Sequence, residues 1–354
     1  MSLAGARGIV RASRIPTCAR QAVMVVDHVK ELEFYRSLVG EDFRGEYGER
    51  VSAHRRGTAF ERAAFDNDAA QLKAALAPRF GYQPEDMWAR NFAEEIPGPP
   101  TTMRAARLHR LSLVFRDLAA GRRVPELLIQ PQLRIPVRPE AKYFEYIAPD
   151  FMVLDRERRI YLPGELKSFA ERDGVASRAD LDLPRRQAGV QVIALTALAD
   201  RVGLSERVDE LAVFVYATPY GLKLGPPHLE EIRAECREIR RAIIQLAAVH
   251  DRLETLRKIE DTTLVNLIDE FPADYQEACH GTCILAGPCK EAAAGTAREL
   301  GDEAREMLGP DMPIERLIEL AEGATPASPL EQELAPALRD AAAVLDALQA
   351  RRAA

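Results

Sequence analysis

The stretch Asp150-Phe-Met-Val-Leu-Asp-Arg-Glu-Arg-Arg-Ile-Tyr-Leu-Pro-Gly-Glu-Leu-Lys167 decides the fold of this chain. It contains two short runs of β-prone residues, 151–154 and 159–162, and the charged segment between them is typical of a turn. Similar runs at 127–129 and 133–137 precede it. We therefore predict a meander of short strands that leads into the segment Glu165-Leu-Lys167.

Amphipathic helices flank this meander on both sides. Apolar and charged periodicity predicts them at residues 20–46, 58–76, 103–120, 183–201 and 228–260. Between the last two, the continuous apolar run at 211–216 is suited to a central strand that is covered on both faces. The order of strands and helices indicates an α/β fold.

Changes in composition divide the chain into three regions. The segment Glu95-Ile-Pro-Gly-Pro-Pro-Thr-Thr102 breaks the chain, and an Ala- and Glu-rich stretch begins near residue 291. We predict an N-terminal helical region at 1–100, an α/β core with a cysteine-rich segment at 101–290, and an acidic helical tail at 291–354.

The predicted tail contains one apolar seam. Its apolar side chains follow the spacing of a helix with a single apolar stripe: Leu334, Leu338, Ala341, Leu345 and Leu348. Such a seam packs on the chain's own body, or it docks a partner subunit or a second copy in a homo-oligomer. Both interpretations remain open at the level of the sequence.

Length and composition exclude a transmembrane helix. The chain has 354 residues, of which 47% are hydrophobic, but no run approaches the roughly 20 apolar residues of a transmembrane helix. The basic N-terminus is not followed by an apolar core of signal-peptide length. We expect a cytoplasmic protein with no membrane partner, in which clustered cysteines bind metal more often than they form disulfides.

The net charge of −7 is unevenly distributed. Residues 291–354 contain 13 acidic and 6 basic side chains, so the tail carries the whole net charge and the rest of the chain is neutral. Residues 101–138 contain eight arginines against Asp117 and Glu126. This basic stripe either tracks a phosphate backbone or forms a solvated helix face.

Two acids and a lysine form the constellation that carries chemistry. Asp150 and Glu165 fall on neighbouring predicted strands, and Lys167 projects to the same side as Glu165 because side chains alternate along a strand. Mg²⁺ usually takes one or two protein carboxylates, and in phosphodiester hydrolysis a divalent cation neutralises phosphate charge and activates water. We predict Asp150 and Glu165 as ligands of Mg²⁺ or Mn²⁺, with Lys167 orienting the attacking water or stabilising the developing charge.

These residues belong to an ordered set of motifs that resembles the PD-(D/E)xK nuclease superfamily. Pro149-Asp150 with Glu165-Leu-Lys167 is similar to its signature, and Gln187-Ala-Gly-Val-Gln191 resembles the RecB-type Q-x(3)-Y motif with glutamine in place of tyrosine. The segment Gly57-Thr-Ala-Phe-Glu61 resembles a G-T-x-x-H motif whose histidine is a metal ligand. The resemblance implies a restriction-endonuclease-like core, which is a mixed central sheet flanked by helices. It also implies a metal-ligand role for Glu61 and a catalytic role for Gln187.

The cysteines extend the resemblance to one subset of that superfamily, which includes AddB and the CRISPR-associated Fe–S exonucleases. Proteins of this subset hold a 4Fe-4S cluster with one N-terminal cysteine and a C-terminal trio. Here Cys18 precedes the nuclease motifs, and Cys279, Cys283 and Cys289 follow them with one residue more than the usual spacing. The resemblance implies an Fe–S clamp, although four thiolates also suit Zn²⁺. Cys236, among charged residues, is predicted to be a bystander, and His280 is a weaker candidate ligand.

The function implied is that of a Mg²⁺- or Mn²⁺-dependent deoxyribonuclease. The resemblance favours an exonuclease acting on single-stranded DNA or on frayed duplex ends. It implies a role in DNA repair, CRISPR adaptation or phage defence, beside a helicase or within a defence or adaptation complex. The alternative is a catalytically silent Fe–S subunit that binds nucleic acid or serves as a scaffold in a larger complex.

Overall fold

A computed structural model describes residues 5–43, 51–137, 144–170, 178–218, 222–259, 262–280 and 282–353. The strands are β1 Ala89–Asn91, β2 Leu127–Ile129, β3 Leu133–Pro136, β4 Phe144–Ile147, β5 Phe151–Asp155, β6 Ile160–Ala170, β7 Leu211–Ala217 and β8 Leu224–Glu231. The helices are α1 Gly5–Ala12, α2 Ala19–Val26, α3 Glu31–Val39, α4 Val51–Phe80, α5 Phe92–Glu95, α6 Pro100–Ala119, α7 Arg178–Asp200, α8 Arg233–Ile259, α9 Leu264–Leu267, α10 Ala286–Ala293, α11 Asp302–Leu308, α12 Ile314–Ala321 and α13 Pro329–Ala353.

Six strands form a mixed sheet in the order β1-β2-β5-β6-β7-β8. β1 is parallel to β2, and β6 is parallel to β7, whereas the other neighbouring strands are antiparallel. Helices cover this sheet, so the predicted α/β class with a mixed, helix-flanked sheet is confirmed. The parallel pair β6 and β7 is joined through α7, which is the helical crossover that parallel strands require.

Each face of the sheet has its own apolar core. On one face, Phe60, Ala64 and Leu72 of α4 pack against strand residues that include Leu162 and Val213. A second cluster joins the helices α7 and α8 to β7: Ala188, Val192, Ala212, Phe214, Tyr216, Ile232 and Cys236. Because β6 lies between these layers, its even-numbered residues face α4 and its odd-numbered residues face α7.

The β5–β6 hairpin forms where the sequence predicts it. The Asp155 carboxylate accepts hydrogen bonds from the backbone N–H groups of Glu157 and Arg158, which closes the charged turn. Arg158 in turn lowers the pKa of Asp155, because its side chain and backbone bonds outweigh the effect of burial. The turn is therefore specified by local side chains, as Asx turns usually are.

The hairpin formed by β3 and β4 is a separate two-stranded sheet. The predicted run at 133–137 is thus a strand, but it does not join the main meander, and its partner Phe144–Ile147 was not predicted. The hairpin is inserted between β2 and β5, and its base is closed by the Gln130 N–H donating to the Asp150 carbonyl at 3.0 Å. This places the hairpin next to Asp150.

Two helix predictions are wrong in part. The predicted helix at 20–46 is divided into α2 and α3, with His28 between them in the left-handed region at φ 50°. The start of the predicted helix at 228–260 belongs to strand β8, which pairs with β7 as the last strand of the sheet. An edge strand tolerates proline, so Pro226 and Pro227 lie within β8, and α8 begins only at Arg233.

The chain forms two compact units with bounds other than the predicted ones. The first comprises residues 1–30 and 48–272, and the second comprises 31–47 and 273–354. The predicted division at residue 100 does not separate units, because α4 shares its core with the sheet. The predicted division at residue 290 falls inside the second unit.

In the second unit, α12 and α13 pack through a small apolar cluster. Leu334 and Leu338 of the predicted seam contact Leu308 and Leu317 in this cluster. The later seam residues Leu345 and Leu348 are exposed, at 57% and 52%. The first half of the seam therefore packs on the chain's own body, and the second half does not.

Candidate active site

The register of the β5–β6 hairpin places Asp150 beside Glu165. Phe151 pairs with Gly164, so the residues on either side of this pair, Asp150 and Glu165, are next to each other. The Asp150 carboxylate accepts a hydrogen bond of 2.7 Å from the backbone N–H of Leu166. The sheet thereby fixes the position of one carboxylate relative to the other.

Gly164 is required for this register. A Cβ atom at residue 164 would lie 2.1 Å from the ring of Phe151, which is fully buried on the opposite strand. The ring therefore occupies the space that any larger residue would fill. This contact is the physical reason for a glycine at residue 164.

Glu165 lies at the centre of a buried hydrogen-bond network. It is 4% exposed, and its Oε2 atom accepts a bond of 2.6 Å from Lys167 Nζ. The same ammonium donates to Gln187 Oε1 at 2.9 Å. On the other side, Gln191 Nε2 donates to Glu165 Oε1. Each oxygen of the carboxylate thus has its own donor.

The electrostatics of the site favour an additional positive charge. Burial raises the pKa of Asp150 well above its usual range, and the negative charges of Glu165 and Glu61 raise it further, against the smaller effects of Lys167 and the Leu166 N–H. Burial alone would lower the pKa of Lys167, but Glu165, Asp150 and Glu61 outweigh it and raise that pKa. The paired carboxylates of Asp150 and Glu165 thus lie beside the single ammonium of Lys167, and a divalent cation would neutralise the remaining negative charge.

Glu61 of α4 affects this site electrostatically. It is a half-buried residue of α4, and its charge affects both Asp150 and Lys167. Within the described residues, no group of three or more His, Cys, Asp and Glu side chains is arranged to hold a metal ion. Asp150 and Glu165 form a two-carboxylate pair, which is a number that suits Mg²⁺, and Glu61 influences it electrostatically.

Gln191 has a larger part in the site than the sequence indicated. It is 1% exposed, and its Oε1 atom is buried without a hydrogen-bond partner among the described residues. A buried carbonyl oxygen without a hydrogen-bond partner costs about 1–3 kcal/mol. The bond to Glu165 therefore holds the Gln191 amide at a position that is unfavourable for its own oxygen. The sequence spacing could have indicated this role, because Gln187 and Gln191 are four residues apart and therefore lie on one face of α7.

The four predicted cluster cysteines are divided between the two units. Cys18 lies in the first unit, where its sulfur caps α2 by accepting the Gln21 N–H at 3.4 Å. The trio lies in the second unit, where Cys279 Sγ accepts the Gln276 N–H at 3.4 Å. Cys289 is a buried residue of α10, and Cys283 is half-buried. Backbone N–H bonds to sulfur stabilise thiolates, and they occur at Fe–S centres.

The fifth cysteine has a different environment. Cys236, which is flanked by charged residues in the sequence and was predicted to be a bystander, is fully buried in the apolar cluster between α7, α8 and β7. Burial raises its pKa to about 12, so the thiol is protonated and unsuited to bind metal. Of the charged residues next to it in the sequence, Arg237 is exposed, whereas Glu235 pairs with Arg185 of α7. His280, the weaker ligand candidate, instead contacts the Tyr275 hydroxyl at 2.6 Å through its Nε2 atom.

The predicted basic stripe is not a uniform surface. Arg107 is buried and donates to the Ile96 carbonyl, and Arg122 pairs with Asp117. Arg104 and Arg134 instead lie over the rings of Tyr146 and Phe144. Arg138 lies outside the described residues. The arginines of this segment therefore make different kinds of contact, with a backbone carbonyl, a carboxylate and aromatic rings.

No family model matches this sequence, and no curated protein matches it. No helix in the described residues has the length and apolar character needed to cross a membrane. The assignment of a function therefore rests on the site itself and on its motifs.

Proposed function

We propose that this chain is a metal-dependent nuclease of the PD-(D/E)xK type that hydrolyses DNA phosphodiester bonds. The observation that carries the proposal is the Asp150–Glu165 pair, held together by the hairpin register with Lys167 bonded to Glu165. This constellation fits a divalent cation, because its carboxylates outnumber its ammonium and the pKa of Asp150 is raised by burial and by its acidic neighbours.

Asp150 and Glu165 are the residues that would hold Mg²⁺ or Mn²⁺. When bound, such a cation neutralises phosphate charge and activates water. Lys167 places an ammonium beside the carboxylates, where it stabilises negative charge that develops on the phosphate. Gln187 holds the Lys167 ammonium, and Gln191 holds the Glu165 carboxylate, so both amides position the groups that do the chemistry.

We further propose that Cys18, Cys279, Cys283 and Cys289 hold a 4Fe-4S cluster. The N–H bonds to two of these sulfurs support the assignment, as does the contrast with Cys236, whose raised pKa keeps it protonated. A cluster held by these four cysteines would link parts of the chain that are distant in the sequence. Its main contribution would then be to stability, because metal binding is coupled to folding.

The nuclease proposal is tested by cleavage of an end-labelled single-stranded oligodeoxynucleotide in the presence of Mg²⁺, Mn²⁺ or EDTA. We expect cleavage with either metal, none in EDTA, and none by Asp150→Asn or Glu165→Gln. The matched control is Glu157→Gln, which changes an exposed acid in the turn of the same hairpin. Cleavage that persists in both active-site variants would contradict the assignment.

A further inference from the structure

The β3–β4 hairpin has one buried face and one aromatic, basic face. Leu133, Ile135 and Glu145 are buried on the first face. On the other, half-exposed face, Arg134 pairs with Tyr146 across the strands, and Phe144 lies two residues from Tyr146 on the same side. Because side chains alternate along a strand, these two sets of residues lie on opposite faces of the hairpin.

The rings and guanidinium groups of this face are ordered by contacts with each other. Phe144 and Tyr146 form an edge-to-face pair with centroids 5.3 Å apart. The Arg134 guanidinium lies 4.8 Å from the Phe144 centroid, and that of Arg104 lies 5.2 Å from the Tyr146 centroid. Cation–π contacts of this kind hold the arginines close to the aromatic surface.

In the described strands β3 and β4, the charged side chain on this face is Arg134. Arg201, exposed at the end of α7, has a pKa lowered by partial burial and by the neighbouring charge of Arg134. In the described part of the chain, no acidic side chain forms an ion pair with Arg134 or Arg201, and Glu145 is buried on the opposite face. The Arg134 guanidinium, held over the Phe144 ring, therefore gives this face a positive charge that attracts an anion.

This face lies close to the candidate active site. The hairpin is inserted directly before Asp150, and the Gln130–Asp150 backbone bond closes its base. Tyr146 is four residues from Asp150, so at most about 14 Å of extended chain separates them. A strand bound on the hairpin would therefore be near the carboxylates.

We propose that Arg134, Phe144 and Tyr146, with Arg104, form a platform for single-stranded DNA beside the active site. Unpaired bases stack on the two rings, and the guanidinium groups contact the phosphates. The proposal deepens the nuclease proposal, on which the choice of DNA rests. It favours single strands because the faces of bases in a duplex are already stacked, so rings gain contacts only with unpaired bases.

Binding in EDTA tests the platform without any cleavage. The probe is a fluorescein-labelled single-stranded oligodeoxynucleotide, measured by anisotropy, with a duplex and an RNA of the same sequence as competitors. We expect the double variant Phe144→Leu/Tyr146→Leu to bind about 10-fold more weakly or worse, since stacking contributes substantially for each base. Arg134→Gln should reduce the dependence of binding on salt.

Matched controls separate this effect from general damage. Trp88→Leu removes another half-exposed aromatic residue, and Arg116→Gln removes an exposed arginine of α6; both should bind as the unmodified protein does. Tyr146→Trp, which keeps an aromatic face, should retain binding even if the double leucine variant unfolds. Unchanged binding by a folded double variant, loss of binding by Tyr146→Trp, or stronger binding of the duplex or the RNA than of single-stranded DNA would overturn the platform.

The platform and the nuclease proposal fail in distinguishable ways. If the ring variants lose binding in EDTA and the unmodified protein cleaves nothing, the platform stands and the nuclease proposal fails. If the protein cleaves DNA and the ring variants bind normally, the nuclease proposal stands and the platform is wrong.

Discussion

At the scale of single residues, the hydrogen bonds of the site converge on Glu165. Lys167 donates to one of its oxygens and Gln191 to the other. Among the described residues, the Gln187 side chain bonds to Lys167 and not to Glu165. The two glutamines of α7 therefore support different groups, and their effects on activity should differ.

This difference is measurable with two matched substitutions. Gln191→Met should weaken Mn²⁺ binding and lower activity by about 10-fold to 100-fold, the range found when a residue that orients a metal ligand is lost. Gln187→Met should lower kcat but leave Mn²⁺ affinity unchanged, because Lys167 is not a ligand. Isothermal titration with Mn²⁺ and single-turnover cleavage would measure both. Equal effects of the two variants on Mn²⁺ affinity would contradict the distinction.

The raised pKa of Asp150 predicts a pH dependence of stability in the absence of metal. Between the ordinary pKa of 3.8 and the raised value, the folded protein binds more protons at this residue than the unfolded chain does. The contribution of Asp150 to the free energy of unfolding therefore decreases as the pH rises through that window. In EDTA, the Tm of Asp150→Asn relative to the unmodified protein should increase with pH, whereas Glu157→Gln should show no such trend. A constant Tm difference for Asp150→Asn would show that the carboxylate is not destabilised by its surroundings.

At the scale of elements, the β5–β6 hairpin depends on the contact between Phe151 and Gly164. Gly164→Ala places a methyl group in the space that the Phe151 ring occupies. Overpacking of this kind costs about 1–3 kcal/mol, and displacement of β6 would also move Glu165. We expect a lower Tm and a loss of cleavage, measured by thermal unfolding and by the oligonucleotide assay.

Two comparisons show whether this contact is the cause. Gly57→Ala, in α4, adds a methyl group with no atom within 4 Å and should not lower the Tm. Combining Gly164→Ala with Phe151→Leu removes the ring from the occupied space and should recover part of the lost stability. A double variant less stable than Gly164→Ala alone would contradict this account.

Some of these elements could be predicted from the sequence because their causes are local. The hairpin turn depends on Asp155 and the backbone next to it, and the apolar run that became β7 marks a covered strand by itself. β8 could not be predicted in this way, since two prolines and several acids resemble a helix start until β7 supplies a partner. The bond from Gln191 to Glu165 joins residues 26 positions apart, and Cys236 is buried through tertiary packing that its charged sequence neighbours conceal.

At the scale of the whole molecule, the proposed cluster would hold Cys18 together with three cysteines that lie far from it in the sequence. Cys18→Ser should abolish iron binding, because the remaining three thiolates cannot complete a four-cysteine site. Cys236→Ser is the matched control, and it should keep its iron, since this thiol is buried in the apolar core. Iron and sulfide analysis after anaerobic purification, with the visible absorbance, measures both. Stoichiometric zinc without iron would show that the four thiolates form a zinc site instead.

We infer that the chain cleaves DNA at the Asp150–Glu165–Lys167 centre and is not a silent binding subunit. The most direct test is single-turnover cleavage with Mn²⁺ by the unmodified protein, Lys167→Met and Lys223→Met, with Mn²⁺ binding measured on each. Lys223 is an exposed lysine and serves as the control. We expect Mn²⁺-dependent cleavage by the unmodified protein and by Lys223→Met, and a loss of at least about 100-fold in Lys167→Met with Mn²⁺ still bound. An unmodified protein that binds DNA and Mn²⁺ but cleaves nothing, or a Lys167→Met variant that cleaves normally, would contradict the claim.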